Sequence, residues 1–105
     1  MQKHVRKLLT VVTEASLERS LVEDLRELGA KGWTITDARG QGHRGKRSLD
    51  WEHGGNIRLE VICDAALADR LAAHLREHYY DNYAMVLFVL DVEVLRPEKF
   101  QSRET

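Results

Sequence analysis

The periodicity of apolar residues changes along the chain in an order that leaves few folds open to it. A β-branched and leucine-rich run from Val5 to Thr13 is typical of a buried strand. Leucines then recur every three or four residues between Glu14 and Leu28, which predicts an amphipathic helix with Thr13 as N-cap and Gly29 as its stop. The segment from Trp33 to Ala38 is predicted as a second strand. The first third of the chain is therefore a strand–helix–strand unit.

A second unit of the same kind follows after a long gap. Residues Asn56 to Cys63 alternate between apolar and polar side chains, which indicates a half-buried strand. Asp64 is placed to cap a helix that ends near Tyr79, and Met85 to Leu95 form a last strand. The order βαββαβ predicts a ferredoxin-like α+β sandwich. We expect one domain over residues 1–95 and a polar tail over residues 96–105, of which Glu98 to Thr105 are expected to be poorly ordered.

The last strand creates a burial problem, because residues 85–90 are apolar on both faces. Two helices can cover only one face of a four-stranded sheet, whereas strands that read as continuous apolar runs are normally buried on both sides. A monomer would expose a patch on the order of several hundred Å2. We therefore expect other copies of the chain to cover the second face in a closed ring. Arg58 and Glu60 project from that face, either as ion pairs between subunits or into solvent.

Composition narrows the class of protein. Across 105 residues, 16 lysines and arginines nearly balance 17 acidic residues, so no global field favours nucleic acid or an anionic membrane. The single Cys63 excludes an internal disulfide. The longest apolar run, Ala84 to Leu90, is too short to span a bilayer, and no signal-peptide pattern follows Met1. We expect a cytoplasmic protein.

The gap between the second and third strands, about residues 39–55, carries five of the seven glycines. Within it, the run Gly40-Gln41-Gly42-His43-Arg44-Gly45-Lys46-Arg47-Ser48 combines glycines with cations. Glycine lets backbone amides approach an anion closely, and arginine binds phosphate through a planar pair of donors. The loop predicts a site for a phosphate-bearing small molecule. The alternative is a solvated flexible loop.

Several segments together resemble the PII signalling superfamily, over about Lys7 to Leu95. They are Gly29 to Thr36, the loop pattern Gly40-x-Gly42-x-Arg44-x-x-Arg47-Ser48, Asn56 to Ile62, and Tyr79-Tyr80-Asp81-Asn82-Tyr83-Ala84. The chain is most similar to PII-like proteins of bacterial carbon-concentrating systems, which are associated with bicarbonate transporters or carboxysome components. The resemblance implies a homotrimer with nucleotide sites in the clefts between subunits, and a T-loop between strands two and three.

The resemblance also implies roles for individual residues. Two arginines would contact phosphates, the backbone at the base of the T-loop would line the nucleotide, and strand residues would lie near the adenine or ribose. The nucleotide-binding residues so implied are Thr36, Gly40, Gln41, Gly42, His43, Arg44, Arg47, Ile62, Val86 and Leu87. Because residues 79–84 lack the Gly-Lys-rich cradle of nitrogen-sensing relatives, the resemblance favours AMP, ADP or cyclic AMP over ATP.

The resemblance implies a regulator with a protein target, such as a bicarbonate transporter or a carboxysome-associated protein. If the target is a transporter, the regulator would lie at the membrane periphery. Bicarbonate is a further implied ligand, and no prosthetic group is implied. We expect no enzymatic activity, since the sequence shows no nucleophile paired with a base and no paired carboxylates. A slow nucleotide phosphohydrolase is one alternative. An RNA-binding module is another, although Asn56 to Cys63 lacks the aromatic residues of that class. His74 and His78 have a metal-compatible spacing without a third ligand, so no metal site is expected.

Overall fold

A four-stranded antiparallel sheet with two helices on one side forms the structure, a computed structural model that describes residues 2–40 and 55–100. This confirms the predicted ferredoxin-like α+β fold. The elements, in chain order, are strand β1 (His4–Glu14), helix α1 (Glu18–Leu28), strand β2 (Thr34–Ala38), strand β3 (Asn56–Cys63), helix α2 (Ala65–Tyr79) and strand β4 (Met85–Val94). Short 3-10 helices span Ala15–Leu17 and Pro97–Phe100.

The strands are arranged in the order β2-β3-β1-β4, so β2 and β4 are the two edges of the sheet. Directly paired residues share a face of an antiparallel sheet. One row across the open face, the face without helices, therefore reads Thr36, Arg58, Val12 and Val86 from edge to edge. The next row reads Thr34, Glu60, Thr10 and Phe88.

The core lies between the helices and the other face of the sheet. It is built mainly from leucine and valine side chains that are almost completely buried, each of which contributes about 1.5–3 kcal/mol of transfer free energy. The largest of them are Leu9, Val11, Leu21, Leu25, Leu59, Val61, Leu67, Leu71 and Leu75. In both helices the buried leucines lie four residues apart, at Leu21 and Leu25 in α1 and at Leu67, Leu71 and Leu75 in α2, as in an amphipathic helix.

Helix α1 begins later than its sequence pattern predicts. β1 continues to Glu14, and Thr13 pairs with Ile57 and Met85 within the sheet. The buried Thr13 hydroxyl donates to the carbonyl of Ala84 at 2.9 Å, so it does not cap the helix. The N-cap prediction for Thr13 was wrong because strand pairing on both sides holds this residue in the sheet.

The other predicted helix boundaries are confirmed. Gly29 ends α1 with a φ of 102°, a left-handed conformation that favours glycine, and its amide donates to the carbonyls of Leu25 and Arg26. The carboxylate of Asp64 accepts a hydrogen bond of 2.9 Å from the amide of Leu67 at the start of α2.

The chain after β4 stays in contact with the sheet at its start. Residues Pro97–Phe100 form a 3-10 helix, and a guanidinium nitrogen of Arg6 donates to the Pro97 carbonyl at 3.3 Å, which ties this helix to β1. The expectation of poor order from Glu98 onward stays a prediction, and residues 101–105 lie outside the described part of the chain. Nowhere in residues 2–40 and 55–100 is there a helix long and apolar enough to cross a membrane.

The open face exposes apolar side chains on β4. Val86, Phe88 and Leu90 are 57%, 37% and 53% exposed, and all three alternate onto this face. The helices pack against the opposite face and cannot cover them. Residues 2–40 and 55–100 provide no second layer over this face, as the continuous apolar pattern of this strand predicts.

Candidate functional site

The predicted T-loop leaves and rejoins the sheet at one end. The C-terminal ends of β1 and β2 and the N-terminal ends of β3 and β4 all lie there, as the antiparallel pairing requires. Gly40 is exposed on the outgoing side. On the return side, Gly55 has a φ of 71°, and its carbonyl accepts a hydrogen bond of 2.9 Å from the amide of Ala15. The return of the loop is thus fixed to the end of β1.

The predicted site residues divide into two groups. Five of them lie outside the described residues and stay predictions: Gln41, Gly42, His43, Arg44 and Arg47. The other five, Thr36, Gly40, Ile62, Val86 and Leu87, are described.

Thr36 and Val86 share one row of the open face but lie on opposite edge strands. Three strand spacings separate them, a distance of about 14 Å. The backbone between them carries Arg58 and Val12. One subunit therefore presents the two predicted contacts on separate edges and does not bring them together in a pocket.

Ile62 and Leu87 lie away from that row. Ile62 follows Arg58 by four residues, about 13 Å along β3, where it pairs with Leu8. Leu87 projects to the other face of the sheet, where it packs against the hydrophobic core. Because neighbouring strand residues point to opposite faces, only the backbone of Leu87 is available to a ligand on the open face.

Arg58 lies on the open face, as the sequence predicts, but it is not among the predicted nucleotide contacts. Its Nε donates to a Glu60 carboxylate oxygen at 3.1 Å, and its guanidinium lies 5.9 Å from the ring centre of Phe88. Phe88 belongs to β4, so the arginine side chain reaches across β1, where Thr10, the residue paired with Phe88, is fully buried. The Arg58 side chain is still 43% exposed. Its place beside Thr36 depends on strand register, which periodicity within a single strand does not reveal.

The connection from α2 to β4 borders the Val86 edge. The carbonyl of Tyr79 accepts hydrogen bonds from the amides of Asn82 and Tyr83, at 3.2 and 3.0 Å. The Tyr79 hydroxyl donates to the Oδ2 atom of Asp24 at 2.6 Å. Burial, together with this hydrogen bond, raises the pKa of Tyr79 well above its usual range, so the phenol is a donor at neutral pH.

The two helical histidines do not converge on a common point. The rings of His74 and His78 stack with their centres 4.0 Å apart, and the Nδ1 atom of His78 lies 2.9 Å from the carbonyl oxygen of His74. Stacked rings direct their in-plane lone pairs side by side. Among the described residues, no group of three histidine, cysteine or acidic side chains is arranged to hold a metal ion.

Comparison with known proteins gives a match over most of the chain. The family model for the nitrogen regulatory protein P-II matches residues 6–99. A PII-like signaling protein from Thermus thermophilus is 45% identical, with a TM-score of 0.81 over 95% of this chain and 99% of that one. CPII from Thiomonas intermedia, a nitrogen regulatory PII-like protein bound to ADP, AMP and bicarbonate, is 24% identical. Its TM-score is 0.83, over 96% of this chain and 98% of that one.

Proposed function

The chain belongs to the P-II family, and from this premise we propose that it is a signalling protein that binds adenine nucleotides in the clefts of a homotrimer. The ligand class is AMP, ADP or cyclic AMP. The family match over residues 6–99 is the observation that carries the proposal, because it covers both edge strands and the whole connection between β2 and β3. The Thiomonas protein, which has the same fold, was solved with ADP, AMP and bicarbonate, and this supports the ligand class.

The geometry of the sheet supports a site between subunits. A nucleotide that touched Thr36 and Val86 of the same chain would have to lie flat across Val12 and Arg58 on the open face. That face already exposes apolar side chains that a soluble protein needs to cover. If neighbouring copies cover it, the edges bearing Thr36 and Val86 become the walls of seams, and a nucleotide in a seam contacts an edge without occupying the face.

The phosphate groups are assigned to the T-loop. Arg44 and Arg47 supply paired donors for a mono- or diphosphate, and the glycine-rich backbone at Gly40 to Gly42 allows close approach. The described residues at the start of β4, Met85 and Val86, offer no cation of their own. The T-loop in turn acts on a protein target, for which a bicarbonate transporter or a carboxysome-associated protein is proposed, in the cytoplasm or at the membrane periphery.

Isothermal titration calorimetry with AMP, ADP, ATP and cyclic AMP, with and without bicarbonate, tests the proposal. We expect saturable binding without turnover, and product analysis of the same samples checks for released phosphate. The double variant Arg44→Ala/Arg47→Ala should lose at least about tenfold in affinity, since two charge-assisted contacts are removed.

The matched control is Arg19→Ala/Arg70→Ala, which removes two exposed arginines from the helices and changes the net charge by the same amount as the T-loop variant. Unchanged affinity in the T-loop variant would remove both arginines from the site. Absence of binding by the wild-type protein would end the nucleotide proposal, and phosphate release would identify a phosphohydrolase instead.

A further inference from the structure

A cluster of three polar side chains on the helix layer connects to the Val86 edge of the sheet. One carboxylate oxygen, Oδ2 of Asp24 in α1, accepts the hydroxyl of Tyr79 at 2.6 Å and lies 3.3 Å from Nε2 of His74. Both of these partners belong to α2. The cluster is largely shielded from water, because Tyr79 is 8% exposed and the Asp24 and His74 side chains are 20% and 26% exposed.

Tyr79 is both the last residue of α2 and the anchor of the turn that follows. Its carbonyl accepts the amides of Asn82 and Tyr83, and its ring lies 5.9 Å from that of Tyr83. At the other end of the turn, the Ala84 carbonyl accepts the buried hydroxyl of Thr13. Residues 80–84 are therefore held at both ends, by Tyr79 and by β1, immediately before β4 begins at Met85.

The hydrogen bond from the Tyr79 hydroxyl to Asp24 can be removed by a single conservative substitution, Tyr79→Phe. A hydrogen bond to a carboxylate is stronger than one between neutral groups, particularly where water is excluded. Without it, the tyrosine ring keeps its apolar contacts but loses the hydrogen bond that joins it to Asp24 in α1. The hydrogen bonds from the Asn82 and Tyr83 amides to the Tyr79 carbonyl then depend on a helix end that is free to fray.

We propose that Tyr79 is a positioning residue: its bond to Asp24, supported by His74, holds residues 80–84 and so sets the place of the β4 edge in the nucleotide cleft. The proposal rests on the proposed function for its effect on affinity. Its effect on the turn stands independently.

The test compares Tyr79→Phe, Asp24→Ala and the double variant in the full-length protein, at a temperature where all are folded. The affinity for ADP is measured by calorimetry, and amide hydrogen exchange is followed at Asn82 and Tyr83 without nucleotide. We expect the dissociation constant to rise about threefold or more in each single variant, and no further in the double variant than in Asp24→Ala, because the bond between Tyr79 and Asp24 is already lost in either single variant. Exchange at the two amides should become about tenfold faster.

The control is Asp64→Ala, which removes the N-cap at the opposite end of the same helix. It should lower the unfolding temperature without changing the affinity for ADP. Equal losses of affinity in Asp64→Ala and Tyr79→Phe, or an unchanged affinity in Tyr79→Phe, would overturn the positioning role in the cleft. If the wild-type protein binds no adenine nucleotide, the proposed function fails, and exchange alone decides whether Tyr79 holds the turn: unchanged rates at Asn82 and Tyr83 would reject it.

Discussion

Two buried threonines on β1 differ in the use of their hydroxyl groups. Thr13 donates to the Ala84 carbonyl, whereas the Thr10 hydroxyl has no hydrogen-bond partner among the described residues. Replacing Thr13 with valine should cost about 1 kcal/mol of unfolding free energy, because a buried hydrogen bond is lost. Replacing Thr10 with valine should be neutral or stabilising by up to about 1 kcal/mol, because a desolvated hydroxyl is removed.

Urea unfolding of both variants at one protein concentration checks these values, and each serves as the control for the other. If Thr10→Val proved as damaging as Thr13→Val, the Thr10 hydroxyl would have a partner across a seam between copies.

Cys63 should make the unfolding free energy of the protein depend on pH in the alkaline range. Burial raises the pKa of the Cys63 thiol from 9.0 to about 11. Between these values the folded protein holds a proton that the unfolded chain has released, so the unfolding free energy falls as the pH rises. We expect a loss of about 1 kcal/mol between roughly pH 8 and pH 10.

The Cys63→Ala variant isolates this effect in urea unfolding at several pH values. Its unfolding free energy should stay nearly constant until about pH 10, where the raised pKa of Tyr79 begins to act in the same direction. An unchanged pH profile in this variant would contradict the assignment to Cys63. The folded wild-type protein should also resist alkylation by iodoacetamide near neutral pH, because the thiol is both buried and protonated.

At the scale of elements, the end of α1 depends on the conformation of one glycine. Gly29 has a φ of 102°, while Gly32, three residues later, does not have a positive φ, and neither has an atom within 4 Å of an added Cβ. Gly29→Ala should therefore cost about 1–2 kcal/mol through backbone strain alone. Gly32→Ala, the matched control, should be neutral or slightly stabilising in thermal unfolding. Equal stability of the two variants would show that the left-handed turn is not a requirement of the fold.

Elements are also where the sequence predicts most of the structure. The change in apolar period locates all four strands and both helices, because burial on one face requires that period. The start of α1 was missed because Thr13 suits both a strand and a helix cap, and only pairing with β3 and β4 decides between them. The site is harder to predict. Thr36 and Val86 lie about 14 Å apart because of the strand order, and Arg58 lies beside Thr36 because of the strand register. Neither strand order nor register can be predicted from the local sequence.

At the scale of the whole molecule, the proposed trimer depends on the open face. Phe88→Glu places a charge on that face, where Phe88 is 37% exposed, and should leave single chains in sedimentation velocity at micromolar concentration. Val89→Glu is the control, since Val89 is the next residue on the same strand, is 41% exposed, and points to the other face. A trimer that persists in Phe88→Glu, or that is lost in both variants, would place the contact elsewhere.

β4 has a consequence for how the protein fails as well as for how it functions. It is a ten-residue edge strand whose outer side pairs with no other strand among the described residues. Its first half is apolar, and its second half carries Asp91 and Glu93, which pair with Lys7 and Lys3. Such rims are templates for endless strand addition unless something blocks them. Here the two acidic residues protect only the distal half. A subunit without its neighbours should therefore form fibrils through the first half of β4. We expect substitutions that break the trimer to speed up fibril formation even where they do not lower the unfolding temperature.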